Sequence, residues 1–256
     1  AAGHTITGSG TVDISGNIAS GDSLDLTALT NNSLNLHDIT TDGNLIAALG
    51  QVQSTSDIYG SGQVTLKGDI ASSTEVYIDG IDSLVTVAYA DATGTATSGF
   101  AIDSGSTLYA QAAHLNGKAV TGEGAVQVYG SASDSTNLSL IGVDLDLRSV
   151  SLDFSADVAI LPTLPTLTTG QDLKLSVYQA HGQTLSSTAG TINVFDLQWK
   201  SDANLGGLSG NIAVTSYGDF VFTGSLGVAH VTQFGGTLGL TATQANGVYV
   251  SDGFDG

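Results

Sequence analysis

The chain has 256 residues, with 24 Asp or Glu against 5 Lys or Arg, and its formal net charge is −19. Nucleic acid is excluded as a natural partner, because neutralising phosphates takes clustered cations and Lys67, Lys118, Arg148, Lys174 and Lys200 are scattered. Hydrophobic residues make up 41% and charged residues 11%, which excludes a disordered acidic tail; the absence of Cys excludes disulfides, thiolate metal sites and a cysteine nucleophile.

Strands and turns should dominate, since 34 Gly accompany 30 Thr and 29 Ser, Glu is confined to Glu75 and Glu123, and Met is missing. Taken in chain order, apolar residues alternate at Val12 and Ile14, Leu24 and Leu26, and Leu34 and Leu36. Leu45 to Leu49 could close a helical turn. Alternation resumes at Val64 and Leu66 and at Val76 and Ile78, Ala110 to Leu115 could close a second helical turn, and further strands follow at Val126 and Val128 and at Leu138 and Leu140. A period of two sends one set of side chains inward and the other to solvent. Gly-Ser, Gly-Asp, Asn-Asn and Asp-Gly pairs mark the turns. Ile160 to Gly170 holds both prolines, Pro162 and Pro165, and reads as an outward insertion. No stretch approaches the roughly 18 to 20 apolar residues of a membrane helix, so membrane insertion is not expected. The start, Ala1-Ala2-Gly3-His4, shows neither an initiator Met nor a signal-peptide pattern, which suggests a processed chain or a piece of a longer one.

An internal repeat organises these elements. Gly3 to Leu26 (GHTITGSGTVDISGNIASGDSLDL) aligns without gaps with Gly117 to Leu140 (GKAVTGEGAVQVYGSASDSTNLSL), at an offset of 114. Gly60 to Ile78 (GSGQVTLKGDIASSTEVYI) aligns with Gly8 to Leu26 at an offset of 52. A divergent copy begins at Gly182 and another starts at Gly247; the approaches LSVYQAHG (Leu175 to Gly182) and LTATQANG (Leu240 to Gly247) align at an offset of 65. The expected organisation is one elongated repeat domain over 1–256, with units 3–54, 55–116, 117–181, 182–246 and a further start at 247–256. The expected fold is all-β, a parallel β-solenoid (β-helix) built from imperfect repeats of about 50 to 65 residues, each making about two or three coils. Tandem small β-sandwich domains are the alternative, disfavoured because a sandwich needs roughly 100 residues.

Strings such as LTATQANG, followed by a Thr/Ile/Val stretch and then GSGTV, resemble the tandem repeats of very large secreted bacterial surface proteins: adhesins, surface-layer proteins and filament-forming repeat proteins. The resemblance implies an extracellular location, export without cysteines, a calcium-containing exterior, and self-association or adhesion. The Gly-Gly-x-Gly-x-Asp nonapeptide of RTX calcium-binding repeats is absent.

Candidate chemistry centres on Asp, which is 22 of the 24 acids, a turn former and a hard oxygen ligand. Asp79 and Asp82 share the pattern DGxD with Asp252 and Asp255, and Asp144 with Asp146 should lie on one strand face. Ca²⁺ is the cation that an oxygen cage of this kind would take; Asp-Gly as a plain turn pair is the competing reading. His4, His37, His114, His181 and His230 form no zinc pattern, and His181 before Gly182 reads as a turn histidine. Neither a GxSxG elbow nor a phosphate-binding glycine loop leading into a helix occurs, and no catalytic residue is assigned. Trp199, Phe195, Tyr217, Phe220 and Phe222 concentrate in the last third, suited to burial in a core or a stack between coils, with a sugar-stacking platform or an intersubunit contact as the alternative readings. The expected function is a structural segment, not an enzyme, that forms a rod, filament or surface layer by association with identical or homologous subunits. An adhesin stalk that recognises polysaccharide or a cell surface is the second reading, and a β-helical polysaccharide lyase or hydrolase is the third.

Overall fold

The computed structural model describes residues 9–29, 32–71, 74–82, 84–90, 99–131, 138, 140–141, 143–151, 170–227 and 229–253, so the Pro162 insertion and Asp255 lie outside the described residues. The chain is nearly all β and folds as a parallel β-solenoid. It divides into two compact units, Ala1–Gln127 and Val128–Gly256.

The first unit carries β1 (Gly10–Ile18), β2 (Ser23–Asp25), β3 (Asn32–Thr41), β4 (Asn44–Ala48), β5 (Val52–Tyr59), β6 (Gln63–Lys67), β7 (Glu75–Ile78), β8 (Thr86–Ala90), β9 (Phe100–Ile102), β10 (Thr107–Gln111), α1 (Ala112–Leu115), β11 (Val120–Gly122) and the start of β12 (Ala125–Ser131). One sheet has the order β1-β3-β5-β7-β10, a second β2-β4-β6-β8, and β9 pairs with β11. Each strand therefore pairs with its counterpart in the next coil. The register joins Gly10 to Asn32, Asn35 to Ser54, Ser54 to Tyr77 and Tyr77 to Tyr109, so the coils are unequal in length and the one from Tyr77 to Tyr109 is the longest of these.

The second unit carries β13 (Leu140–Ile141), β14 (Asp144–Ser151), β15 (Leu173–Ser176), α2 (Val177–Ala180), β16 (Leu185–Phe195), β17 (Leu208–Tyr217), β18 (Phe220–Val221), β19 (His230–Phe234), β20 (Leu238–Gly239), α3 (Ala242–Ala245) and β21 (Tyr249–Asp252). Its main sheet has the order β14-β15-β16-β17-β19-β21, and β18 pairs with β20. Leu145 joins Leu173, Leu173 joins Ile192, Ile192 joins Ile212 and His230 joins Tyr249; the first of these coils is the longest and the others are nearly equal.

Alternation places the core where the sequence suggests. Leu34, Leu36, Leu45, Val64, Leu66, Val76, Ile78, Val126 and Val128 are fully buried, each contributing about 1.5 to 3 kcal/mol of hydrophobic stabilisation. Successive coils superpose these side chains in columns, as in Leu175, Val194, Val214 and Val231 of the second unit. The helical turn at Ala110 to Leu115 is found as α1, but Leu45 to Leu49 runs mostly as β4, because Leu45 and Ala47 point into the core and only the residues from Leu49 to Gln51 wind into a 3₁₀ turn. No described helix is long and apolar enough to cross a membrane.

The repeated strings encode corners. Gly60 and Gly122 have φ of +119° and +116°, and a Cβ at either would collide with the backbone of the preceding coil, at Thr41 and Ile102 respectively. Gly62 and Gly124 then donate N–H to those same two carbonyl oxygens, both at 2.9 Å. Yet the Gly60 string leads into β6 of the second sheet, whereas the aligned residues from Gly10 onward form β1 and the Gly122 string leads into β12. The offset of 52 thus matches one corner to a different corner. The approaches ending in Gly182 and Gly247 behave likewise: α2 follows β15 of the main sheet, and α3 follows β20. Each ends in a type II turn, with Gly182 and Gly247 at φ +72° and +85°.

Candidate functional site

The aspartates are distributed along the corners and strand faces of both units. Asp42 Oδ1 accepts the backbone N–H of Ser61 (3.2 Å) and its hydroxyl (3.0 Å) from the next coil. Asp69 accepts from Ala101 N–H at 3.0 Å, Asp144 from Asp172 N–H at 2.9 Å, Asp172 from Thr191 N–H at 2.8 Å, and Asp219 from Thr237 N–H at 2.6 Å. A carboxylate on a short side chain reaches the next layer of a parallel stack about 4.8 Å away. This clamp gives a physical reason for Asp outnumbering Glu. His181 does the same at its turn, its Nδ1 accepting Asn204 N–H at 2.9 Å.

Of the residues singled out as ligands, Asp79 accepts Gly80 N–H at 2.7 Å and Gln111 Nε2–H at 3.3 Å, while Asp82 accepts Leu84 N–H at 3.1 Å. Asp144 and Asp146 do share the outward face of β14, flanking buried Leu145. Asp144 clamps the next coil, and Asp146 forms a two-oxygen ion pair with Arg148, whose Nη2 lies 2.7 Å away. That contact raises the Arg148 guanidinium above its ordinary pKa, against the opposing effect of burial, and the same guanidinium sits 4.3 Å over the Phe195 ring. Asp252 is exposed on β21. Among the described residues no group of three or more His, Asp or Glu is placed to hold a metal ion.

Outward columns are polar ladders or aromatic stacks. Asn35 Nδ2 donates to Asp13 Oδ1 at 2.9 Å and Ser54 Oγ donates to Asn35 Oδ1 at 3.1 Å; the column then continues into Tyr77 and Tyr109, stacked at 4.2 Å and 7°. Tyr109 first, then burial and Glu75, push the Tyr77 phenol up to about 12. In the last third, Phe222 is buried, Tyr217 stacks on Phe234 at 5.1 Å, and Trp199 stands 65% exposed. Rings stacked in this way cover one another's faces, which removes those faces from stacking on a sugar.

Two features go beyond the sequence reading. The first is a paired glutamine anchor: Gln179 and Gln244 complete capping boxes with Ser176 and Thr241. Their amides also reach the coil beneath, Gln179 to Leu147 O at 2.6 Å and Gln244 to Phe222 O at 3.1 Å and Gly224 O at 2.9 Å. The S/T-x-x-Q shared by LSVYQAHG and LTATQANG is the signal that marks it. The second feature is the lighter burial of the inward residues on β1 and β21, which among the described residues pair with β3 and β19 respectively. Val12 and Ile14 are half-buried where Leu34 and Leu36 above them are fully buried, and Val250 is 46% exposed over fully buried Val231.

Fold and site together define a parallel β-solenoid repeat protein. The chain matches no protein-family model, and neither a curated protein nor a solved structure matches it.

Proposed function

We propose that the chain is a structural repeat segment of an extracellular protein, which builds a rod, filament or layer by stacking copies end to end. The observation that carries this reading is the parallel ladder of each unit: among the described residues the strands of the main sheet pair with their counterparts in the neighbouring coil, and Asp and Gln side chains fasten coil to coil. A further coil of the same kind is the partner that such a ladder accepts, since it supplies backbone groups in register and covers the apolar column at once. The composition supports it, because corners made of Gly, Ser, Thr and Asp suit an array whose contacts run between neighbouring coils. The excess of Asp adds a dependence on the medium: like charges on stacked coils repel, and Ca²⁺ or salt would relieve that repulsion.

The test is sedimentation and electron microscopy of the purified chain over a range of concentration, with and without Ca²⁺. Linear particles whose lengths are multiples of one chain, favoured by the cation, are expected. Monodisperse single chains at every concentration and in every medium would contradict the proposal.

A further inference from the structure

Two tyrosines on the outward face of the first unit are held ring on ring. β7 and β10 pair so that Tyr77 lies against Tyr109, and the flanking pairs, Val76 with Leu108 and Ile78 with Ala110, are fully buried, which fixes both backbones. The ring centroids are 4.2 Å apart and the planes are 7° from parallel. The hydroxyls lie at the same end of the stack, because the Tyr109 hydroxyl is the main cause that raises the Tyr77 phenol. The carbons ortho to the two oxygens therefore face each other. Tyr217 on Phe234 is also stacked, but that pair offers a single phenol.

A carboxylate attends the pair. Glu75, one of the two Glu in the chain, shares the outward face of β7 with Tyr77, and its Oε2 accepts the Tyr77 hydroxyl at 3.1 Å. An acceptor so placed can take the phenolic proton as the ring gives up an electron. Tyr77 is 41% exposed, so an oxidant in solution meets the edge of its ring.

We propose that Tyr77 and Tyr109 form an oxidative cross-linking site, at which hydrogen peroxide and a haem peroxidase join the two rings as a dityrosine that fastens coil to coil. In successive one-electron steps each phenol loses one electron and one proton; the peroxide takes up both electrons and both protons and leaves as two waters. The two phenoxyl radicals form a carbon–carbon bond between their ortho carbons. The hydrogen on each of those carbons then moves to its own ring's oxygen, restoring two phenols. The chain loses two hydrogen atoms for each peroxide reduced. Radicals already in contact need no diffusional encounter, which favours this pair over tyrosines on separate chains. The bond closes 109 − 77 = 32 residues, and such a constraint on the unfolded chain stabilises more for longer loops.

The experiment treats the dilute purified chain with a haem peroxidase and hydrogen peroxide, and follows dityrosine fluorescence and the masses of peptides cleaved at the aspartates that separate the two tyrosines. A joined Tyr77–Tyr109 peptide pair lacking two hydrogens is expected, formed about tenfold or more faster than any product between chains. Tyr77→Phe and Tyr109→Phe keep a ring in the stack, should melt like the wild type before oxidation, and should abolish the product. Tyr59, half exposed with its hydroxyl donated to Asp57 at 2.9 Å, is the control, and Tyr59→Phe should leave the product intact. Glu75→Gln should slow formation severalfold without changing the coupling of Tyr59 between chains. The cross-linked chain should melt about 5 °C or more above the untreated one. Consumption of Tyr59 with Tyr77 and Tyr109 left uncoupled, or a product that survives in Tyr77→Phe, would overturn the site. An unchanged rate in Glu75→Gln would overturn the role of the carboxylate, and an unchanged melting temperature the fastening of the coils.

Discussion

Corner aspartates act as clamps on the backbone of the neighbouring coil. Asp172 both donates its N–H to Asp144 and accepts Thr191 N–H, so it links three coils. Replacing Asp172 by Ala should cost about 1 to 2 kcal/mol, because Thr191 N–H loses its acceptor, whereas Asn, which keeps an oxygen at the same reach, should recover most of it. Chemical denaturation of the three proteins measures the difference; equal losses in Ala and Asn would point to charge and away from the clamp. The glycine of the corner is under a stricter constraint. Gly122→Ala forces a side chain onto the Ile102 backbone at φ +116°, and a large drop in melting temperature or failure to fold is expected, with Gly105→Ala, where a Cβ meets nothing, as the milder comparison at φ +80°. Neither constraint was fully legible in the sequence. The Asp-Gly and Gly-x-Gly strings announce turns, but the partner of each Asp lies in another coil, at a separation that depends on coil length.

Glutamine fastens the short helical turns. Gln179→Ala removes both the capping box of α2 and a bond to the buried Leu147 carbonyl, and should destabilise by about 2 kcal/mol. Gln244→Ala at the more exposed α3 should cost less, and hydrogen exchange of the Thr241–Ala245 amides would localise that loss. The α1 turn carries a different sensitivity. Burial pulls the His114 imidazole below its ordinary value of 6.5, partly offset by Asp79, and its Nδ1 has no hydrogen-bond partner among the described residues. A group whose folded pKa is depressed contributes its full stability above the unfolded value and loses it as pH falls through the folded value. Melting temperature should therefore decline as pH falls below 6.5, and His114→Asn should flatten that decline. An unchanged slope would remove His114 as its source. The strands themselves were readable, since Leu34 with Leu36, and Val64 with Leu66, show the alternation that burial requires. The coil length was not, because a corner places the same local demands on the chain whichever two sheets it joins. Sequence offsets of 52 and 65 therefore match unlike corners, while the ladder itself advances by shorter and unequal steps, as from Ala213 to His230 and from Tyr77 to Tyr109.

A solenoid as a whole gains stability from contacts between neighbouring coils, and its weak points are its edges. The wild-type chain holds a net charge of −19, so association should strengthen with ionic strength up to the point where screening is complete, with little further change beyond it. A decline of association with added salt would show instead that attraction between opposite charges holds the copies together. The polar and aromatic columns, from Asp13 through Asn35 and Ser54 to Tyr77 and Tyr109, indicate how outward faces are kept in register from coil to coil.

The most direct test of stacking is diffraction from aligned assemblies of the purified chain, or their images in the electron microscope. Continuation of the parallel ladder from one copy into the next predicts a repeat of about 4.8 Å along the long axis of the particle, unbroken at the junctions. A repeat running across the axis, or assemblies in which β1 and β21 remain free at every junction, would contradict it.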